Sequence, residues 1–400
     1  MQSDGELMLG GLLGACHMAS MEDLPAIVAE HGGLAGFSDA VIYVTDLQQM
    51  SLVPLPGQRA GSGEPLEPFK IDTTLAGLAF RGAELVQSRG EGEGEQWWVP
   101  LLNGTERVGV LGLTATVGGE LAEWRAKQLA ALIAALVVGK GPTSDSYARA
   151  VRARSVSLSA EVVQNLLPPS TYADADVVVS AMLEPAYEVG GDAYDYALDE
   201  GALHLAIFDS MGHDTSSALT TSVAVAAFRQ SRRERQDLPT TGQDIDAAIA
   251  EQFTGRFATG VLADLDLRTG WLSWVNRGHH PPLVLRDGRL VATLTSEPDP
   301  PMGFRLSPST GLLRYQLEPG DRLVFFTDGI IEAQSPDREL FGLERFIDFI
   351  IRHEANGLTA PETLRRLIQA ILQHQRARLQ DDATVLMLEW HSGEERRLTP

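Results

Sequence analysis

Four short stretches set aspartates where an apolar strand begins or ends. Asp192 follows two glycines in Gly190-Gly191-Asp192-Ala193-Tyr194-Asp195, and Asp209 closes the run Leu205-Ala206-Ile207-Phe208. Asp328 follows Phe325-Phe326-Thr327, and Asp381-Asp382 stand just before Ala383-Thr384-Val385. A carboxylate beside buried apolar chain is costly unless a cation offsets its charge. Hard divalent ions such as Mg2+ and Mn2+ do this through oxygen ligands. Taken singly, each Asp also reads as a turn former or strand cap. Their shared position at strand ends is what suggests one joint site.

The histidines near these stretches have plainer readings beside the catalytic one. His213, four residues after Asp209, could protonate a leaving alkoxide or shape a turn. His279-His280, between Gly278 and Pro281-Pro282, reads as a loop stabiliser. Cys16-His17 adjoins an N-terminal helix and reads as a packed thiol beside a surface imidazole. Asp214 stands just before a helix starting near Thr215, where it could cap the helix or add a carboxylate for a further metal. No arginine occupies an obvious phosphate-anchoring position.

The whole chain narrows the classes. Its 400 residues exceed one ordinary domain, and 32 Lys plus Arg against 54 Asp plus Glu give a net charge of −22. That field repels nucleic acid, which opposes both a nucleic-acid partner and a two-metal nuclease. One cysteine, Cys16, excludes an intrachain disulfide and a cysteine-based zinc cluster. The N-terminus lacks the basic start of a signal peptide, and no apolar run reaches the length of a membrane span. The expectation is a cytoplasmic protein without a membrane partner.

The elements that must position the carboxylates come next. Residues 1–140 read as an α/β unit. A Leu-rich helix leads to the β-branched run Ala40-Val41-Ile42-Tyr43-Val44, and Thr74 caps a short helix. Asn103-Gly104 marks a hairpin with both residues at positive φ, and 120–138 closes the unit as a helix. Residues 141–169 read as a helical linker, one helix over 143–167 with a stripe of Tyr147, Val151, Leu158, Val162 and Leu166. Such a stripe suits a homodimeric coiled coil or docking on a domain; Pro168-Pro169 ends it. Residues 170–392 alternate strands with four helices set aside from them, an α+β sandwich, and 393–400 form a tail.

The first unit resembles a GAF domain, a small sensory fold, with the PAS fold as the alternative; the resemblance implies a small-molecule ligand. The region from Leu167 to Trp390 resembles the protein phosphatase 2C-like (PPM) superfamily, in its bacterial SpoIIE-like branch. The features that carry the resemblance are Leu167-Pro168-Pro169, Gly190-Gly191-Asp192-x-Tyr194-Asp195, Asp209-x-x-Gly212-His213, Gly278-His279-His280-Pro281, Thr327-Asp328-Gly329 and Asp381-Asp382-x-Thr384. The resemblance implies an αββα sandwich and two Mn2+ or Mg2+ ions. Asp209 would bridge the ions, the backbone carbonyl of Ser210 and Asp192 would join the first, and Asp328 and Asp381 would hold the second. Asp195, Asp382 and Thr384 would support them. It further implies a protein serine/threonine phosphatase that acts without a covalent intermediate. Its substrate would be a phosphorylated STAS-domain anti-sigma-factor antagonist, under control of the N-terminal sensor. A catalytically weak phosphatase-fold scaffold is the other reading.

Overall fold

The computed structural model describes residues 4–58, 64–89, 94–116, 118–184, 187–188, 190–212, 214–297, 299–308, 311–376 and 381–391. Two compact units divide the chain at Ser155 and Val156. No described helix is long and apolar enough to cross a membrane.

The first unit runs α1 (Asp4–Cys16), α2 (Leu24–Gly32), β1 (Phe37–Thr45), β2 (Ser51–Pro54), β3 (Phe69–Lys70) and α3 (Leu75–Gly82). It continues with β4 (Val86–Arg89), β5 (Glu95–Asn103), β6 (Glu106–Ala115), α4 (Glu120–Lys140) and α5 (Asp145–Ala150). The strands form one antiparallel sheet ordered β3-β2-β1-β6-β5-β4. Period-two alternation sorts its side chains. Ile42, Val44, Trp97, Val99, Leu111 and Leu113 pack in one core with residues of α1, α2 and α4, while Tyr43, Trp98 and Val110 pack with Ala76, Ala79 and Phe80 of α3. Thr74 caps α3 by accepting from the Gly77 N–H at 3.1 Å. The hairpin falls one residue later than its sequence signal. Asn103 stays in the strand opposite Glu106, so Gly104-Thr105 make the turn and only Gly104 takes positive φ. Glycine first is the arrangement of a II′-type turn, which asks nothing unusual of the asparagine.

The second unit begins with α6 (Leu158–Gln164), β7 (Thr171–Ala173), β8 (Val177–Glu184), β9 (Asp192–Asp199), β10 (Ala202–Ser210), α7 (Thr215–Arg233) and α8 (Leu238–Gln252). Strands β11 (Ala258–Asp266), β12 (Trp271–Arg277), β13 (Leu283–Arg286), β14 (Arg289–Thr293), β15 (Leu313–Gln316) and β16 (Arg322–Phe326) follow. Helices α9 (Asp328–Ile331), α10 (Leu343–Ala355) and α11 (Ala360–His374) precede the last strand, β17 (Ala383–Trp390). Two antiparallel sheets result, ordered β15-β12-β11-β10-β9 and β14-β13-β16-β17-β8-β7. Their inner faces share a core that includes Tyr194, Leu205, Ile207, Val261, Phe325, Leu386 and Leu388. Phe208, Leu262 and Val275 on the outer face of the first sheet pack with Phe228, Ile245 and Ile249 of α7 and α8. Val324, Phe326, Val385 and Met387 on the outer face of the second pack with Phe346, Ile350, Leu367 and Ile371 of α10 and α11. The layers are αββα.

The expectation of one continuous linker helix over 143–167 is corrected. Helix α5 ends at Ala150, where the Val151 N–H bonds the Tyr147 carbonyl, and a new helix starts only at Leu158. Val151 is buried in the first unit's core with Tyr147 packed against it, so two members of the stripe are already used there. Ser157 takes an extended conformation, and its side chain accepts from the Ala160 N–H at 3.1 Å as the N-cap of α6. Its own N–H donates to the Tyr187 carbonyl at 2.8 Å. A cap of this kind contributes about 1 kcal/mol, so Ser157→Ala is expected to lower the second unit's stability to urea by about that much. In an unbroken helix alanine would be neutral or stabilising at this position, and such a result would contradict the break.

Candidate metal centre

The alternation that fills the sandwich also aims the carboxylates. Leu203, Leu205 and Ile207 of β10 belong to the inter-sheet core, and Asp209 is the next residue in that series. On β9, Asp192 is in series with Tyr194 and Tyr196; on β16, Thr327 extends Leu323 and Phe325; on β17, Thr384 precedes Leu386 and Leu388. All four groups therefore line the same end of the inter-sheet space. Asp192 and Asp209 are direct cross-strand partners, a pairing that is destabilising for two like charges.

Hydrogen bonds fix this end of the sandwich. The hydroxyls of Thr327 and Thr384 both donate to Asp192 Oδ2 at 2.7 Å, and the Thr384 N–H donates to Thr327 Oγ1 at 2.9 Å. Asp382 Oδ2 accepts from the Gly190 and Gly191 N–H groups at 2.9 and 2.6 Å. This holds the turn leading into Asp192. Gly191 has to be glycine, since a Cβ there would lie 2.6 Å from the Ser210 carbonyl oxygen and 2.7 Å from that of Gly212. Ser210 N–H donates to the Gly191 carbonyl at 3.0 Å, which ties the two loops together. Asp328 opens α9 at the end of β16. Asp381 is exposed, and its Oδ1 accepts the Asp382 N–H at 2.9 Å.

Burial raises the Asp192 carboxyl well above the usual carboxylate range, and Asp209 and Asp382 add repulsion. Asp209 is pushed up to about 7, first by burial and then by Asp328, Asp381 and Asp382. Asp328 is raised by burial and by Glu332, with His280 opposing, and Asp382 is raised by burial against the pull of its backbone donors. The charged neighbours acting on Asp192 and Asp209 are all carboxylates. This is an all-oxygen, cation-deficient donor set, which fits hard divalent ions. Among the described residues no three His, Cys, Asp or Glu side chains are gathered into a metal shell. The carboxylates are nonetheless close enough to repel one another.

Other predicted residues serve the frame. His279 is half-buried and neutral, its pKa pushed down to about 3 chiefly by desolvation. Its Nε2 faces the Phe326 carbonyl at 3.1 Å and its Nδ1 faces Thr259 Oγ1 at 2.8 Å, so Nε2 carries the proton and Thr259 donates. It thus links β11 to the end of β16, while His280 stacks on Phe326. Asp195 turns away from the carboxylates and accepts from Arg229 at 2.7 Å and Arg232 at 3.1 Å, both on α7. Asp214 caps α7 through the Ser217 N–H at 2.9 Å and pairs with Arg256 at 2.9 Å. Arg256 and Ser217 hold its carboxyl down at about 2, so its carboxylate is already engaged. Arg256, which also donates to the Met211 carbonyl at 3.0 Å, had no motif to mark it. His213 lies outside the described residues.

Residues 199–391 match the SpoIIE family model, described as stage II sporulation protein E. The C-terminal unit is similar to the SpoIIE family over those residues. Protein IcfG of Synechocystis sp. is 25% identical over 256 residues, covering 56% of this chain and 40% of that protein. Phosphoserine phosphatase RsbP of Bacillus subtilis is 26% identical over 187 residues, covering 45% of each. The chain thus spans less than half the length of these two relatives. Among solved structures, the SiaA-PP2C domain of Pseudomonas aeruginosa superposes with a TM-score of 0.50 at 20% identity, covering 58% of this chain and 94% of that one. The chain therefore shares the PP2C fold with that domain.

The raised carboxyls make a signed prediction. A group whose folded pKa lies above its unfolded value destabilises the fold above the folded pKa, and the cost fades as pH falls toward the unfolded one. For Asp209 that window runs from about 7 down to 3.8. In EDTA, Asp209→Asn should melt on the order of 5 °C above the parent at pH 8, with a smaller gap at pH 5. Mn2+ should stabilise the parent more than the variant. A gap that is absent at pH 8, or equal at both pH values, would contradict the assignment.

Proposed function

We propose that the chain is a metal-dependent protein serine/threonine phosphatase. The observation that carries this reading is the set of mutually repelling carboxylates at one end of a PP2C-fold sandwich, a charge arrangement that calls for cations. Asp192, Asp209, Asp328 and Asp381, with the Ser210 carbonyl, would hold two Mn2+ or Mg2+ ions. Bound there, the ions would supply Lewis acidity for attack of water on phosphorus and positive charge for the phosphoryl oxygens. The chain's own groups position the donors. Thr327 and Thr384 orient Asp192, Asp382 holds the turn before it, and Gly191 lets the Ser210 loop approach.

The substrate in this reading is a phosphorylated STAS-domain anti-sigma-factor antagonist, supported by the likeness to a phosphoserine phosphatase over 187 residues. The N-terminal unit acts as a GAF-like sensor. Supporting that role is a cavity of about 560 Å³ lined by Leu85, Gln87, Val99, Leu102, Glu123 and Lys127, with room for a small ligand. The single buried thiol, Cys16, suits the reducing cytoplasm.

The test is phosphate release from p-nitrophenyl phosphate and a phosphoserine protein, with Mn2+ and with EDTA. Turnover should require the metal, and Asp209→Asn and Asp328→Asn should each lower kcat at least about a hundredfold. Full-length protein that folds, binds Mn2+ and still hydrolyses neither compound would leave the scaffold reading in its place.

A further inference from the structure

Beside the carboxylates lies an apolar surface that the chemistry does not use. Strand β10 pairs with β11 so that Asp209 faces Thr259 and Ser210 faces Ala258. One step further out, the Met211 N–H donates to the Phe257 carbonyl at 3.2 Å. The Phe257 ring meets Phe304 at 5.1 Å between centroids. Met211 and Phe304 are each 43% exposed. Three large apolar side chains thus stand in a row at the rim, starting two residues from Asp209.

Backbone bonds hold them there. Ala258 and Met302 exchange N–H···O bonds of 2.9 and 2.8 Å. Asp246 Oδ1, on α8, accepts from the Gly303 and Arg305 N–H groups on either side of Phe304. Arg256 ties the Met211 carbonyl to Asp214. Scattered exposed apolar residues need no explanation, but a contiguous, anchored row at the mouth of a polar site marks contact with another molecule.

We infer that Met211, Phe257 and Phe304 form a ledge that docks apolar residues flanking the phosphorylated serine or threonine of a protein substrate. The inference rests on the phosphatase reading and adds to it a substrate class, phosphosites with hydrophobic neighbours. The occupant follows from continuity with the site. A polypeptide that delivers a phosphoryl group to Asp209 must cross this rim, whereas a small ester does not reach it. Among the described residues, the Arg256 guanidinium is engaged by Asp214 and the Met211 carbonyl and that of Arg305, next to Phe304, by Glu251, so the contact on offer at the three side chains is apolar.

Two phosphoserine peptides test this, identical except that the two positions on each side of the phosphoserine are leucine in one and serine in the other. With full-length protein and Mn2+, the leucine peptide should show kcat/KM higher by about tenfold or more, mostly through KM. Phe304→Ser should remove that advantage while p-nitrophenyl phosphate turnover stays within about twofold, since the small ester makes no use of the ledge. Met211→Ser provides a second variant should the first be unstable. Equal kcat/KM for the two peptides overturns the ledge, as does an advantage that survives both substitutions. No turnover of any compound by the parent protein instead defeats the phosphatase reading, and the two failures are told apart by p-nitrophenyl phosphate alone.

Discussion

Two sheets that share no strand pairing meet on a single oxygen. Asp192 begins the edge strand of one sheet, and the hydroxyls that satisfy its Oδ2 come from strand ends of the other. A hydrogen bond to a charged group contributes about 1.5–3 kcal/mol, and a buried carboxylate left without donors would cost more than that. The observed docking of the two sheets delivers Thr327 and Thr384 to this oxygen. The same docking brings Asp382 under the backbone N–H groups of Gly190 and Gly191. The geometry of the site and the docking of the sheets are thus one constraint.

That constraint leaves an imbalance. Desolvation and repulsion raise Asp192 and Asp209, while Asp195 and Asp214, only a few residues away, have arginine partners. The fold thus places arginines against the flanking acids and, among the described residues, none against Asp192 or Asp209. Sites that trade stability for chemistry are left unbalanced in this way.

The sequence made the positions of the carboxylates readable because each ends or begins an apolar run, and period-two alternation then fixes its face. The sheet layers were readable for the same reason. The tethers were not. Nothing local says that His279 would reach the Phe326 carbonyl, or that Arg256 would grip Asp214 across 42 positions. The break near Ser157 was hidden by an apolar stripe that continues through it. Tyr147 and Val151 belong to one core, but beyond the break Leu158 is exposed and the residues buried in the other core are Ala160 and Val163, off the stripe. The hairpin at Gly104 was misplaced by one residue because Asn-Gly was read as a pair, when the glycine alone carries the turn.

His279 has a consequence beyond holding β11 to β16. Desolvated and neutral, it refuses a proton that the unfolded chain would take below its ordinary value of 6.5. Asp209 does the reverse, keeping a proton in the fold that the unfolded chain would release above 3.8. Between roughly pH 4 and 6.5 these two demands cancel. On unfolding, one proton in effect passes from the aspartate to the imidazole, and none is exchanged with solvent on their account. The carboxylate whose charge the site depends on and the ring that frames it therefore form a compensated pair. Over that range the proton kept on Asp209 and the one refused by His279 offset each other in their effect on stability.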